Sequence, residues 1–98
     1  MTVEIKVNAD VTTIEVAGRL DTTTAPLLDK TIQEDVKDAK NLVLDIKDVN
    51  YISSAGLRVL LSAQKKMQKI GSMKVMHVCP EVMEVFEMTG FADILEIE

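Results

Sequence analysis

Ninety-eight residues suffice for one domain, and a composition 47% apolar and 28% charged is that of an ordinary soluble chain with one modest core. The formal net charge of −5 argues against nucleic acid as a partner, because binding phosphates needs a basic surface. A lone cysteine, Cys79, excludes an internal disulfide framework, and no run approaches the roughly 20 apolar residues of a membrane span.

Val3, Ile5 and Val7 alternate with Thr2, Glu4, Lys6 and Asn8, the pattern of a half-buried strand. No continuous apolar stretch of a signal peptide interrupts residues 1–20, which with the single cysteine fits a cytoplasmic location. Asn8-Ala9-Asp10 supplies turn residues, and Ile14 and Val16 then alternate with Thr13, Glu15 and Ala17 in a second strand. Such a hairpin, with one wet face, belongs at a sheet edge. Gly18-Arg19-Leu20-Asp21 leaves that strand, and Thr24 as N-cap with Pro26 in the first turn starts a helix. Leu28, Ile32 and Val36 recur every four residues, Asp29, Lys30, Gln33, Glu34 and Lys37 face away, and Asp38-Ala39-Lys40-Asn41 ends the helix.

Leu42-Val43-Leu44-Asp45-Ile46 lacks alternation apart from Asp45, as expected of a central strand covered on both faces. A long helix follows, from Ser53-Ser54 to Ile70, closed by Gly71. Leu57, Leu60, Leu61, Ala63, Met67 and Ile70 form its apolar side, while Arg58, Ser62, Lys65, Lys66 and Lys69 form a solvated arc. Lys74-Val75-Met76-His77-Val78 reads as a further apolar strand in which His77 is structural. Cys79-Pro80 opens a last helix with Glu81, Glu84 and Glu87 wet and Val82, Met83 and Phe86 dry, stopped by Gly90. Leu95-Glu96-Ile97 is a candidate final edge strand. The order predicts one α/β domain over residues 1–98. Its architecture is a single-layer mixed sheet of four to five strands, with three to four helices packed mainly on one face.

Two hydroxyls, Ser53 and Ser54, thus stand where a strand hands over to a helix, whose first N–H groups lack internal partners and favour negative charge. At 100° per residue Ser53 lies over the apolar side, placed to cap the N–H of Ala55 or Gly56. Ser54 lies beside Arg58, four residues on, and faces outward. Gly56, in a first helical turn, costs up to about 1 kcal/mol against alanine. Close approach of another backbone explains it, whether of the domain's own sheet or of a docking partner. Asp45 and Asp48 are placed at the exit of the central strand, at the same end as Ser54.

Enzyme chemistry finds little footing. Serine catalysis needs a base in reach, and the sole histidine sits in an apolar strand; Ile52-Ser53-Ser54-Ala55-Gly56 also lacks the leading glycine of a nucleophile elbow. No Cys/His cluster has metal-ligand spacing and no glycine string cradles a nucleotide, so neither a metal nor a cofactor is expected.

The run Asp48-Val49-Asn50-Tyr51-Ile52-Ser53-Ser54-Ala55-Gly56-Leu57 resembles the signature of STAS domains, specifically of anti-sigma factor antagonists. Gly18-Arg19-Leu20-Asp21 is similar to the family's early motif and Met88-Thr89-Gly90-Phe91 to its late one, in that order along nearly the whole chain. The resemblance implies a binding module rather than an enzyme. Unphosphorylated, it would hold an anti-sigma factor that is also a serine kinase, and so free a sigma factor. A serine phosphatase would reset it, and ATP and Mg²⁺ would belong to the kinase. The matching phosphorylation position is Ser54, with Ser53 as second choice. The implied partner face comprises Asp21, Thr22, Ser53, Ser54, Ala55, Gly56 and Arg58. Many family members carry aspartate where this chain has Ser53, which adds a second candidate acceptor. The alternatives are a STAS scaffold or regulatory subunit of another partner-switching pathway, stressosome-like, and a small hydrolase using Ser54.

Overall fold

The structure, a computed structural model, describes residues 2–35 and 39–98. Two strands, β1 (Thr2–Asn8) and β2 (Val11–Leu20), form the antiparallel hairpin, with Val3 opposite Val16 and Ile5 opposite Ile14. A helix, α1 (Ala25–Lys30), crosses to β3 (Asn41–Ile52); α2 (Ser54–Ile70) crosses to β4 (Ser72–Met76). Both crossovers join parallel neighbours, so the described sheet runs β1-β2-β3-β4, with β1 at one edge and β2 inside. Two more helices, α3 (Pro80–Thr89) and α4 (Phe91–Ile94), close the described chain.

The sheet's one-sidedness sets everything else. In register, Thr12, Ile14 and Val16 of β2, Leu42, Leu44 and Ile46 of β3, and Met73 and Val75 of β4 are all buried. Their alternates, Thr13, Glu15, Val43, Asp45, Lys74 and Met76, are half-buried on the other face. The strand at Leu42–Ile46 is therefore not covered on both faces as its unbroken apolar run suggested. Val43 sits on the helix-free side, and β3 extends to Ile52. Against the buried face α2 lays Leu57, Leu60, Ala63 and Met67, and α3 lays Val82 and Phe86. Full burial of a side chain such as Leu60 or Phe86 stabilises by about 1.5–3 kcal/mol.

Several boundaries differ from the sequence expectation. The first helix is six residues long and passes into a π-helical turn, Thr31–Asp35, whose Ile32 carbonyl accepts from Lys66 Nζ at 3.3 Å. Leu28 and Ile32 are buried as expected; Val36, Lys37 and Asp38 lie outside the described residues. Ile70, placed on the apolar side of α2, is 46% exposed at the last residue of the helix. Gly71 does follow α2, but in extended backbone rather than the left-handed conformation. A glycine stands there because a Cβ would lie 1.6 Å from the Lys40 carbonyl oxygen.

The strand β4 stops at Met76, and His77 lies just beyond it with φ of 61°, outside the strand assigned to it from sequence. The last segment makes a single bridge rather than a strand. Val75 N–H donates to the Glu96 carbonyl at 2.8 Å and Glu98 N–H to that of Val75 at 2.9 Å, pairing Ile97 with Val75. Lys74 Nζ, 2.8 Å from a Glu98 carboxylate oxygen, has its pKa raised by that contact.

Candidate functional site

The carboxyl ends of β2 and β3 finish together. Leu20 pairs with Ile52, both side chains point into the core, and Ser53 N–H donates to the Leu20 carbonyl at 2.9 Å. The loop after β2 and the start of α2 are therefore side by side.

Ser53 takes the N-cap, with extended backbone (φ −98°, ψ 177°), and its Oγ accepts from Gly56 N–H at 3.4 Å. Its carbonyl accepts the first helical bond, from Leu57 N–H at 2.9 Å. Ser54 is the first residue of the helix and exposed, and its hydroxyl has no hydrogen-bond partner among the described residues. The N–H groups of Ser54 and Ala55 likewise find no acceptor there, so the positive end of a 17-residue helix opens beside a free hydroxyl. Ala55 is half-buried and Arg58 exposed. Gly56 is buried, and the structure settles why it is glycine: a Cβ would meet Ile52 Cγ1 and Leu20 Cγ at 2.8 Å and the Leu20 carbonyl oxygen at 3.1 Å. The close approach is to the domain's own sheet.

Asp21 organises the neighbouring loop. Its Oδ1 accepts from the N–H of Thr23 (3.0 Å) and of Thr24 (3.1 Å). The Thr24 hydroxyl accepts from Asp21 N–H at 2.9 Å and gives its proton to the Arg19 carbonyl at 2.6 Å. Thr24 thus stands at the N-cap position of α1 but makes no cap bond; its hydroxyl locks the loop behind it instead. The Thr24 and Thr23 N–H bonds, with the nearby Arg19 guanidinium, hold the Asp21 carboxyl below its ordinary pKa against a smaller opposing effect of burial. Thr22 is exposed at the loop tip.

Two arrangements escaped the sequence. Arg19 pairs with Tyr51 across β2 and β3, and its guanidinium lies 4.1 Å over the Tyr51 ring while its Nε stands 3.6 Å from Asp21 Oδ2. Their parallel register was the missing signal, since each residue lay in a separate motif. Asp45 and Asp48 belong elsewhere: β3 continues several residues past both, about 3.3 Å each, so they lie far from Ser54 rather than beside it. Asp45 Oδ1 instead meets His77 Nδ1 at 3.0 Å and accepts from Lys47 N–H at 3.1 Å. Burial raises the Asp45 pKa, but those bonds outweigh it and leave the carboxyl below its ordinary value.

A family model described as the STAS domain matches residues 2–98. The chain belongs to the STAS domain family. An "anti-sigma-B factor antagonist" of Bacillus subtilis is 30% identical over 96 residues, covering 97% of this chain and 88% of that protein. Among solved structures, an anti-sigma factor antagonist from Mycobacterium paratuberculosis superposes with a TM-score of 0.89 at 27% identity, covering 98% of this chain and 83% of that one. The Bacillus cell fate determinant SpoIIAA, at 15% identity, shares the fold, and it has been solved in unphosphorylated and phosphorylated forms. Their TM-scores are 0.83 and 0.76, each covering 99% of this chain and respectively 88% and 91% of that one. The STAS sheet and its four described helices are the architecture expected from sequence.

Proposed function

We propose that this STAS domain is an anti-sigma factor antagonist controlled by phosphorylation of Ser54. Unphosphorylated, it holds an anti-sigma factor that is also a serine kinase, and a sigma factor is freed. Phosphorylated, it lets go, and a serine phosphatase resets it in the cytoplasm. The single observation that carries this reading is the exposed, unpartnered Ser54 hydroxyl on the first residue of α2. Ser53 is the weaker acceptor, because its Oγ is half-buried and engaged with Gly56 N–H. The names of the relatives, binding regulators rather than enzymes, support the same reading.

The physical case concerns charge. The kinase, which brings ATP and Mg²⁺, transfers the γ-phosphoryl group to Ser54 Oγ; the bond from the γ-phosphorus to the β–γ bridging oxygen breaks, ADP leaves, and the hydroxyl proton passes to a base of the kinase or to water. The product adds about −1.5 to −2 charges and three acceptor oxygens. At a helix N-terminus that charge is stabilised by roughly 0.3–1 kcal/mol when exposed, so the fold persists. Buried against a partner without a countercharge, it costs several kcal/mol. Since 1.4 kcal/mol is tenfold, binding falls by about a hundredfold or more. Arg58, exposed and four residues on from Ser54, is a candidate to pair with the phosphate or hold it outward.

The test pairs phosphosite mapping with binding. Incubation with the anti-sigma factor kinase of the same genome and ATP–Mg²⁺ places the modification on Ser54. Ser54→Ala then binds that kinase permanently and Ser54→Asp does not. Equal binding by the two variants removes Ser54 as the control point.

A further inference from the structure

We infer that Arg19 and Tyr51 form a second docking element for the anti-sigma factor, on the helix-free side of the sheet end, where they take an acidic segment of that partner. The inference rests on the Ser54 reading and names a part of the partner surface that neither serine reaches.

Tyr51 is the chain's only tyrosine. Of its other aromatics, Phe86 is fully buried and Phe91 half-buried, whereas Tyr51 is 41% exposed. Leu20 and Ile52, the next residues along each strand, fill the core. Tyr51 is thus surplus to the hydrophobic packing that holds this end of the sheet. The Arg19 guanidinium lies over its ring at 4.1 Å, and Asp21 draws on Nε from 3.6 Å. Both side chains are held in place before any partner arrives, which removes part of the ordering cost of binding. Among the described residues, Asp21 is the only ionic partner of this guanidinium, which has five N–H donors in all. Tyrosine and arginine are also the side chains that most often dominate protein interfaces.

Continuity and charge name the occupant. Arg19 directly precedes Leu20, whose carbonyl receives the Ser53 N–H, and Tyr51 stands two residues before Ser53. Only Ile52 and Ser53 separate Tyr51 from Ser54 along the chain, so a partner seated on Ser54 is within reach of the plate. In a chain of net charge −5, a cation presented on an aromatic face at this end selects acidic groups and discriminates against basic ones.

The experiment titrates the purified anti-sigma factor kinase of the same genome against wild type, Tyr51→Ala, Tyr51→Phe, Arg19→Ala, Arg19→Glu and Ser54→Asp. Tm is recorded for each. The Tyr51 side chain makes no hydrogen bond among the described residues, so Tyr51→Ala removes the ring beneath Arg19 and leaves the hydrogen bonds of the Asp21 loop in place. Expected are a tenfold or greater loss for Tyr51→Ala and Arg19→Ala, a larger loss for Arg19→Glu, and binding within twofold of wild type for Tyr51→Phe. Wild-type affinity falls more steeply with added salt than that of Arg19→Ala. If Ser54→Asp fails to bind while Tyr51→Ala and Arg19→Ala bind within twofold of wild type, the plate is not a docking element and the Ser54 reading stands. An unchanged salt dependence in Arg19→Ala overturns the acidic contact. Binding by Ser54→Asp at wild-type strength, or none by wild type, overturns the Ser54 reading and this inference with it.

Discussion

The main-chain N–H of Ser53 donates to the carbonyl of Leu20 at 2.9 Å, and that bond sets the Asp21 loop against the first turn of α2. Neither segment makes a site alone. One brings an exposed hydroxyl at a helix N-terminus, the other a carboxylate tied to its own backbone. The consequences are measurable.

Ser53→Ala removes the cap of α2. Loss of a serine cap costs about 0.5–2 kcal/mol, and a bond as long as 3.4 Å puts this one near the lower end. At about 4–8 °C per kcal/mol for a domain of this size, Tm falls by about 2–8 °C. Ser53→Asp, which restores an acceptor and adds charge at the positive helix end, holds Tm at the wild-type level in the same thermal scan.

Alanine at Gly56 tests packing against propensity. Helix propensity alone favours alanine by up to about 1 kcal/mol. Here the methyl would press on Leu20 and Ile52 at 2.8 Å, and overpacking of that kind costs about 1–3 kcal/mol, so denaturant unfolding shows a net loss. Gly71→Ala is the harsher change. Its Cβ meets a backbone oxygen at 1.6 Å, which no side-chain rotation relieves.

The Asp21 carboxyl gives a pH signature of definite sign. Its folded pKa lies below the unfolded value, so the stability it adds is present above the unfolded pKa and is lost as pH falls through the folded one. Tm measured downward from pH 7 stays level until roughly pH 4, near the unfolded aspartate pKa, and then declines. Asp21→Asn keeps an oxygen acceptor for the Thr23 and Thr24 N–H groups but carries no titrating charge, so its decline is shallower. Among the described residues, Asp45 and Glu81 are lowered as well and add to the slope.

Under the proposed function, phosphorylation of Ser54 is expected to leave the fold in place. Charge at the exposed positive end of α2 contributes roughly 0.3–1 kcal/mol in favour of the folded state. The phosphorylated domain therefore melts at or slightly above the temperature of the unmodified one. Should its Tm fall by several degrees instead, release works through unfolding and not through interfacial charge.

Local pattern carried much of this into view. The strand β1 pairs as a strand but leaves Ile5 and Val7 exposed rather than half-buried, whereas alternation in β2, the buried side of α2 and the left-handed Gly90 after α3 all follow from short-range spacing. So did the division of labour at the handover, with Ser53 bonded inward and Ser54 exposed. What stayed hidden depends on contacts between distant segments. Val43 looks like a doubly covered strand residue until the helices prove to lie on one side. The Lys40 backbone over Gly71 and the Arg19–Tyr51 stack need two parts of the chain aligned before either has meaning. Asp45 was misplaced for a simpler reason: β3 runs on through Asn50-Tyr51, which reads locally as a loop.

The helix that begins at Ser54 is sealed along its inner side by Gly56, Leu57, Leu60, Ala63 and Met67. If Ser54 carries the proposed phosphoryl group, any protein that writes, erases or reads it must reach that same exposed first turn. Under the proposed function those visitors exclude one another: while the kinase sits on the domain, the phosphatase waits.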